Sequence, residues 1–159
     1  MRKAILRVYS SPPLVRALNF ISRAMLWIFV PAYLFALYSF LKVGITEAFI
    51  FALKTGVPFV MVSVARRAVD APRPYELYGF PNPPPREKTG SSFPSRHVFS
   101  AALISAIYFE VFIPIAVILI FFTLLLSATR VLLALHFVRD VLFGAALGFI
   151  FGVLDILIF

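Results

Sequence analysis

The chain has no cysteine, which excludes disulfides, thiol chemistry and cysteine-built zinc sites. It is also poor in charge: Asp, Glu, Lys and Arg make up 14% of its 159 residues, while 62% are hydrophobic. With a mean hydropathy of +0.98, it is too apolar for a soluble domain of this length, and the bilayer is the expected solvent. Histidine is scarce as well. Two histidines and seven carboxylates, with no HExxH-type spacing among them, form no metal-ligand pattern, and neither a metal nor another cofactor is expected. The net charge of +8 does not point to nucleic acid, because the basic residues flank apolar runs instead of forming a soluble basic face. Anionic lipid or phosphate is the better match.

What the chain does have is a series of long apolar runs. Ala24 to Leu41 carries no charge, and Thr46 to Ala65 is about 30 Å long as a helix; both read as membrane spans. Val98 to Ala128, interrupted only by Glu110 and Pro114, would run roughly 46 Å as one helix, too long for a single crossing. A hairpin turning near "FEVFIP" is expected there, and Val141 to Phe159 supplies a last span. Residues 1–23, with five Lys and Arg and a Pro12-Pro13 break, read as an interfacial segment and not as a signal peptide. The expected fold is an all-α integral-membrane helical bundle of about five transmembrane helices plus this segment, one domain over 1–159.

Between the second and third runs lies "RRAVDAPRPYELYGFPNPPPREKTGSSFPSRH", residues 66–97, which holds seven of the twelve prolines and is expected to be a loop. With a cytoplasmic N-terminus, thirteen of the fifteen Lys and Arg residues fall on one face, and the positive-inside rule puts that face in the cytoplasm. Arg67, Arg86, Lys88 and Arg139 read as anchors of this kind. Within the spans, Lys54 and Asp155 are expected to pair or to snorkel in preference to a transport role. Gly144, Gly148 and Gly152 form a stripe for close helix packing.

Folded this way, the chain brings three polar clusters to one membrane face: Arg66-x6-Arg73-Pro74, Pro94-Ser95-Arg96-His97, and Thr129-Arg130-x5-His136-x3-Asp140. Arg66, Arg73 and Arg130 offer planar guanidinium forks that bind phosphate oxygens bidentately. Ser95 adds a hydroxyl, and residues 95 to 97 sit where a helix N-terminus offers free N–H donors to an anion. His136 and Asp140, four apart, share one face if helical, so the carboxylate can orient the ring. A histidine held so can act as a nucleophile, with His97 as general acid protonating a leaving alkoxide.

These clusters resemble the tripartite signature K-x6-RP, PSGH, SR-x5-H-x3-D of the type 2 phosphatidic acid phosphatases, whose superfamily also includes the vanadium haloperoxidases. The resemblance implies a phosphohistidine on His136, support from Asp140 and proton donation by His97. It also implies a phosphate held by Arg66, Arg73, Ser95, Arg130 and the backbone N–H of Arg96, without a metal. Three positions depart from the signature: Arg66 replaces lysine, Thr129 replaces serine, and Arg96 replaces glycine. At the last, the side chain either points away while its N–H still binds, or reaches forward as a clamp for a second anionic group. The implied function is a membrane lipid phosphatase acting on a lipid phosphate monoester or on a lipid or isoprenyl diphosphate. Phosphatidic acid, phosphatidylglycerol phosphate, undecaprenyl diphosphate and a lipid A phosphate are the candidate substrates. The alternative is a non-enzymatic lipid-phosphate binder or transporter that retains the site.

Overall fold

A computed structural model describes the backbone of residues 2–80 and 90–158, with side chains as far as residue 154. Among the described residues there are seven α-helices and no strand. They are α1 (Arg2–Tyr9), α2 (Pro12–Val43), α3 (Ile45–Val69), α4 (Pro74–Tyr78), α5 (Arg96–Val111), α6 (Ile113–Leu132) and α7 (Val138–Ile158). The side chains of Arg86, Lys88 and Asp155 lie outside the described residues, and with them the expected pairing of Lys54 with Asp155.

The N-terminal boundary differs from the expectation. The chain does break before Pro12 and Pro13, at Ser10 and Ser11, and the prolines then start α2, because a proline in the first turn lacks only an N–H that has no helical acceptor anyway. From there α2 continues through Arg23 to Val43, 32 residues or about 48 Å. The segment expected over 1–23 therefore divides into a separate α1 and the first turns of a long helix. The hairpin lies where its length argument placed it. Phe112 alone, in extended conformation, separates α5 from α6, and Pro114 stands in the first turn of α6.

By length and composition α2, α3 and α6 are apolar enough to cross a membrane. They expose large apolar side chains outward, including Phe20, Trp27, Val60 and Leu124, as a lipid-facing surface requires. α5, at 16 residues about 24 Å long, is sheathed by α2, α3, α6 and α7. Its residues from Val98 to Tyr108 are buried with one partial exception, Ser100, which explains why its sequence is apolar on every side.

The contact between α5 and α7 is backbone against backbone. A Cβ at Gly144 would stand 2.6 Å from the Ser95 carbonyl oxygen, one at Gly148 would meet the Phe99 carbonyl, and one at Gly152 would meet Ala106. Hydroxyl pairs tie the other neighbours together. Ser105 Oγ and Thr123 Oγ1 are 3.0 Å apart across α5 and α6, and Tyr33 Oη and Thr55 Oγ1 are 3.1 Å apart across α2 and α3. Tyr108 donates to the Ala32 carbonyl at 2.8 Å. Each such bond adds about 0.6 kcal/mol in an apolar setting. A second, smaller core forms at one end, where Ile5 of α1 packs with Tyr75, Leu133, Ala134 and Leu135. Tyr9 closes it by donating to the Leu133 carbonyl at 2.9 Å.

Candidate active site

The end of the bundle that carries this small core also carries the three polar clusters. Arg66 lies in the last turn of α3, which stops at Asp70, a left-handed residue with φ 38°. The Asp70 carboxylate does more than end the helix: its Oδ1 accepts from both the backbone N–H and the hydroxyl of Ser91, each at 2.9 Å. Glu76 of α4 makes a parallel tie, accepting from Arg73 N at 2.7 Å and Gly90 N at 2.8 Å. Arg73, buried at 5% exposure, donates from Nε to the Gly90 carbonyl at 3.0 Å, which fixes the guanidinium stem. Two carboxylates thus fasten residues 90 and 91 to the segment following α3. Tyr75 N then donates to the Ala134 carbonyl at 3.1 Å, which joins this web to the end of α6.

α6 ends with Arg130 buried and Ala134 in a left-handed turn, φ 55°. Leu135 and His136 both donate backbone N–H groups to the Arg130 carbonyl, at 3.1 and 3.3 Å. His136 therefore sits in a bend before α7 and not on a helix, which corrects the helical-face expectation. The left-handed residue turns the chain before a further helical turn can form. Asp140, in the first turn of α7, reaches back to accept from Phe137 N at 2.9 Å, half of a capping box. Its Oδ2 stands 3.7 Å from His136 Nδ1, near enough for electrostatic pairing and too far for a direct hydrogen bond.

Every residue expected at the site lies at this end. His136 is acted on by Asp140 and by the positive charges of Arg73, Arg66 and Arg130. His97, in the first turn of α5, is acted on by Arg130, His136, Arg96 and Arg66. Burial lowers the His136 imidazole to about 4; the Asp140 carboxylate opposes this, and the arginines reinforce it. The sign is clear: with its pKa depressed, the ring is neutral at pH 7 and keeps a lone pair on one nitrogen, as a nucleophile needs. Ser95 Oγ is buried with no hydrogen-bond partner among the described residues, a costly state that an anion accepting its proton would relieve. Arg96 stands somewhat apart. Its guanidinium lies over the Phe59 ring of α3, 5.4 Å from the centroid.

Sequence reasoning missed Ser92, Asp70 and Glu76. Ser92 is fully buried, its Oγ 2.5 Å from Asp140 Oδ2 and 3.5 Å from His136 Nδ1. Nothing in the sequence separates it from Ser91 beside it. Among the described residues no three His, Cys, Asp or Glu side chains come together as a metal-binding group.

A membrane-embedded helical bundle with two histidines, a carboxylate and arginines gathered at one end belongs to the class of integral-membrane phosphate-handling proteins. The chain is a member of the PAP2 superfamily, whose family model matches residues 33–159. Its fold is similar to the crystal structure of a transmembrane PAP2-type phosphatidylglycerolphosphate phosphatase from Bacillus subtilis. The TM-score is 0.73 at 24% sequence identity, over 99% of this chain and 83% of that one. A comparison with curated proteins gave no match.

Proposed function

We propose that the protein hydrolyses a lipid phosphate, or a lipid or isoprenyl diphosphate, through a phosphohistidine on His136 and without a metal. One observation carries this reading. A cavity of about 460 Å³ between α2, α3 and α5 is lined by apolar side chains such as Phe29, Leu34 and Ile104, and its wall includes His97 and Arg96. One compartment thus meets an anion-binding cluster at one end and offers room for a hydrocarbon chain at the other, which is the composition of a phospholipid.

In the proposed reaction Arg66, Arg73 and Arg130, with Ser95 and the Arg96 N–H, hold the phosphoryl oxygens and offset the charge that spreads over them. His136 Nε2 attacks phosphorus, and the P–O bond breaks as His97, protonated once the bound phosphate offsets the arginines around it, gives its proton to the departing alkoxide or, for a diphosphate, to the departing lipid phosphate. Water, deprotonated by His97, then attacks the phosphohistidine and releases inorganic phosphate and free His136. Asp140 stabilises the positive charge that the His136 ring acquires in the phosphohistidine. A non-enzymatic binder would hold the same lipid without turnover.

Detergent-purified protein is expected to release phosphate from at least one member of a panel of phosphatidic acid, phosphatidylglycerol phosphate, undecaprenyl diphosphate and a lipid A phosphate. Phosphatidylglycerol phosphate comes first, because the structural relative is named for it. Release from none, with binding to one, would establish the binder instead.

The same proposal places the site at the cytoplasmic face, on the strength of the basic residues in α1 and in the first turns of α2. Leu77 of α4 is exposed on that face of the bundle. A cysteine there, in a chain with no other, is expected to resist an impermeant maleimide in intact cells and to react after permeabilisation. Labelling of intact cells would reverse the assignment.

A further inference from the structure

The 3.7 Å between His136 Nδ1 and Asp140 Oδ2 leaves the orientation of the proposed nucleophile without a direct carboxylate hydrogen bond. We infer that Ser92 is a positioning residue that fills this gap, donating its hydroxyl proton to Asp140 and accepting the Nδ1 proton of His136. The inference rests on the reading of His136 as nucleophile, and its geometry is that of three atoms. Ser92 Oγ lies 2.5 Å from Asp140 Oδ2 and 3.5 Å from His136 Nδ1.

A hydroxyl has one proton. An O···O separation of 2.5 Å is that of a charge-assisted bond to a carboxylate, so the proton points to Asp140. The oxygen then has only lone pairs to offer His136, and a neutral ring can meet them only with an N–H at Nδ1. That tautomer puts the lone pair on Nε2, the atom required for attack. The 3.5 Å contact is long, as such contacts are before substrate tightens a site. Asp140 Oδ2 already accepts from Phe137 N, so serine and backbone together hold the carboxylate that anchors the chain of bonds.

Ser92 cannot easily leave this place. Its backbone N–H donates to the Ala71 carbonyl at 2.8 Å, and its neighbours Gly90 and Ser91 are fastened by Glu76 and Asp70 through the bonds described above. The charged and titratable groups around His136 are Arg66 from α3, Arg73 ahead of α4, His97 from α5, Arg130 from α6 and Asp140 from α7. Among the described residues Ser92 Oγ is nearer to Nδ1 than the Asp140 carboxylate is.

With only two histidines in the chain, selective ¹⁵N-histidine NMR of the detergent-solubilised protein reads the tautomer directly, and His97→Asn assigns the two rings. The wild-type His136 ring is expected as the Nδ1–H tautomer. In Ser92→Ala it is expected to become a mixture, with kcat reduced on the order of tenfold to a hundredfold, as for other outer partners of functional histidines, and KM within about twofold. Ser92→Thr, which restores the hydroxyl, is expected to recover the single tautomer. A wild-type ring protonated at Nε2, or an unchanged tautomer in Ser92→Ala, overturns the inference. Should the alanine variant not fold, the wild-type spectrum alone decides. Because the spectrum does not depend on turnover, it remains informative even if His136 proves not to be the nucleophile.

Discussion

Replacing His136 with alanine is expected to lower lipid phosphate hydrolysis by roughly four orders of magnitude or more, the scale seen when a nucleophile acting as part of a unit is removed. The loss should lie in kcat. The arginines that would hold the phosphate are anchored independently of the ring: Arg73 through Gly90, and Arg130 by its position in the last turn of α6. Lipid phosphate binding is therefore expected to survive, within a few-fold, in the inactive variant. A rapid alkaline detergent quench of the wild type with ³²P-labelled substrate should trap an acid-labile, base-stable phosphoprotein that is absent from His136→Ala. Removing Asp140 as well should cost little more, since the carboxylate acts through the ring it supports. Appreciable turnover by the alanine variant, in protein that remains monodisperse, refutes the nucleophile assignment and leaves the arginine cluster to be explained otherwise.

The second large effect concerns assembly. Leucine at Gly148 is expected to prevent stable folding, because its Cβ alone would collide with the Phe99 carbonyl and would crowd Ala102 Cβ and Leu103 N, each 2.9 Å away. Two of these three contacts are backbone, which cannot turn aside, so α5 and α7 must separate. Overpacking costs about 1–3 kcal/mol where side chains can adjust, and here it should exceed that range. Both helices carry site residues at the joined end, where Ser95 N donates to the Asp140 carbonyl at 3.0 Å. Separation there pulls Ser95 and His97 away from Asp140. Gly56 is the control. A Cβ there meets nothing within 4 Å, and alanine is the better helix former by about 1 kcal/mol. Thermal unfolding in detergent should show Gly148→Leu far below wild type and Gly56→Ala at or slightly above it. Equal melting temperatures for Gly148→Leu and wild type would contradict the packing described.

The parts of this arrangement that were legible in the sequence are those governed by length and by residue type. The Val98 to Ala128 run exceeds a bilayer's thickness, so a turn had to fall inside it, and Phe112 is that turn. Glycines spaced by four announced close helix packing, and in the structure all three meet α5 or the Ser95 that caps it. The local geometry of the His136 segment was hidden, because one left-handed alanine, Ala134, decides it, and alanine does not visit that conformation routinely. Pro12 and Pro13 marked the break before α2 but not the long helix they open, since the same residue breaks a helix interior and begins a first turn. Ser92, Asp70 and Glu76 carried no signal at all. Their roles come from bonds between segments distant in sequence, which spacing within a motif cannot reveal.

The small core beneath α1 has a consequence for the order of events in a newly made chain. Ile5 and Tyr9 come from the first helix, Tyr75 from the middle of the sequence and Leu133 to Leu135 from beyond α6, and they meet one residue before His136. The bend that presents the imidazole is thus braced by a helix whose Tyr9 lies 124 positions away from the Leu133 carbonyl it bonds. Until α6 has been inserted, Ile5 has no seat. The proposed nucleophile is therefore braced only once α1 has met the turn after α6, and a chain that stops short of that turn presents the membrane with arginines but no poised histidine.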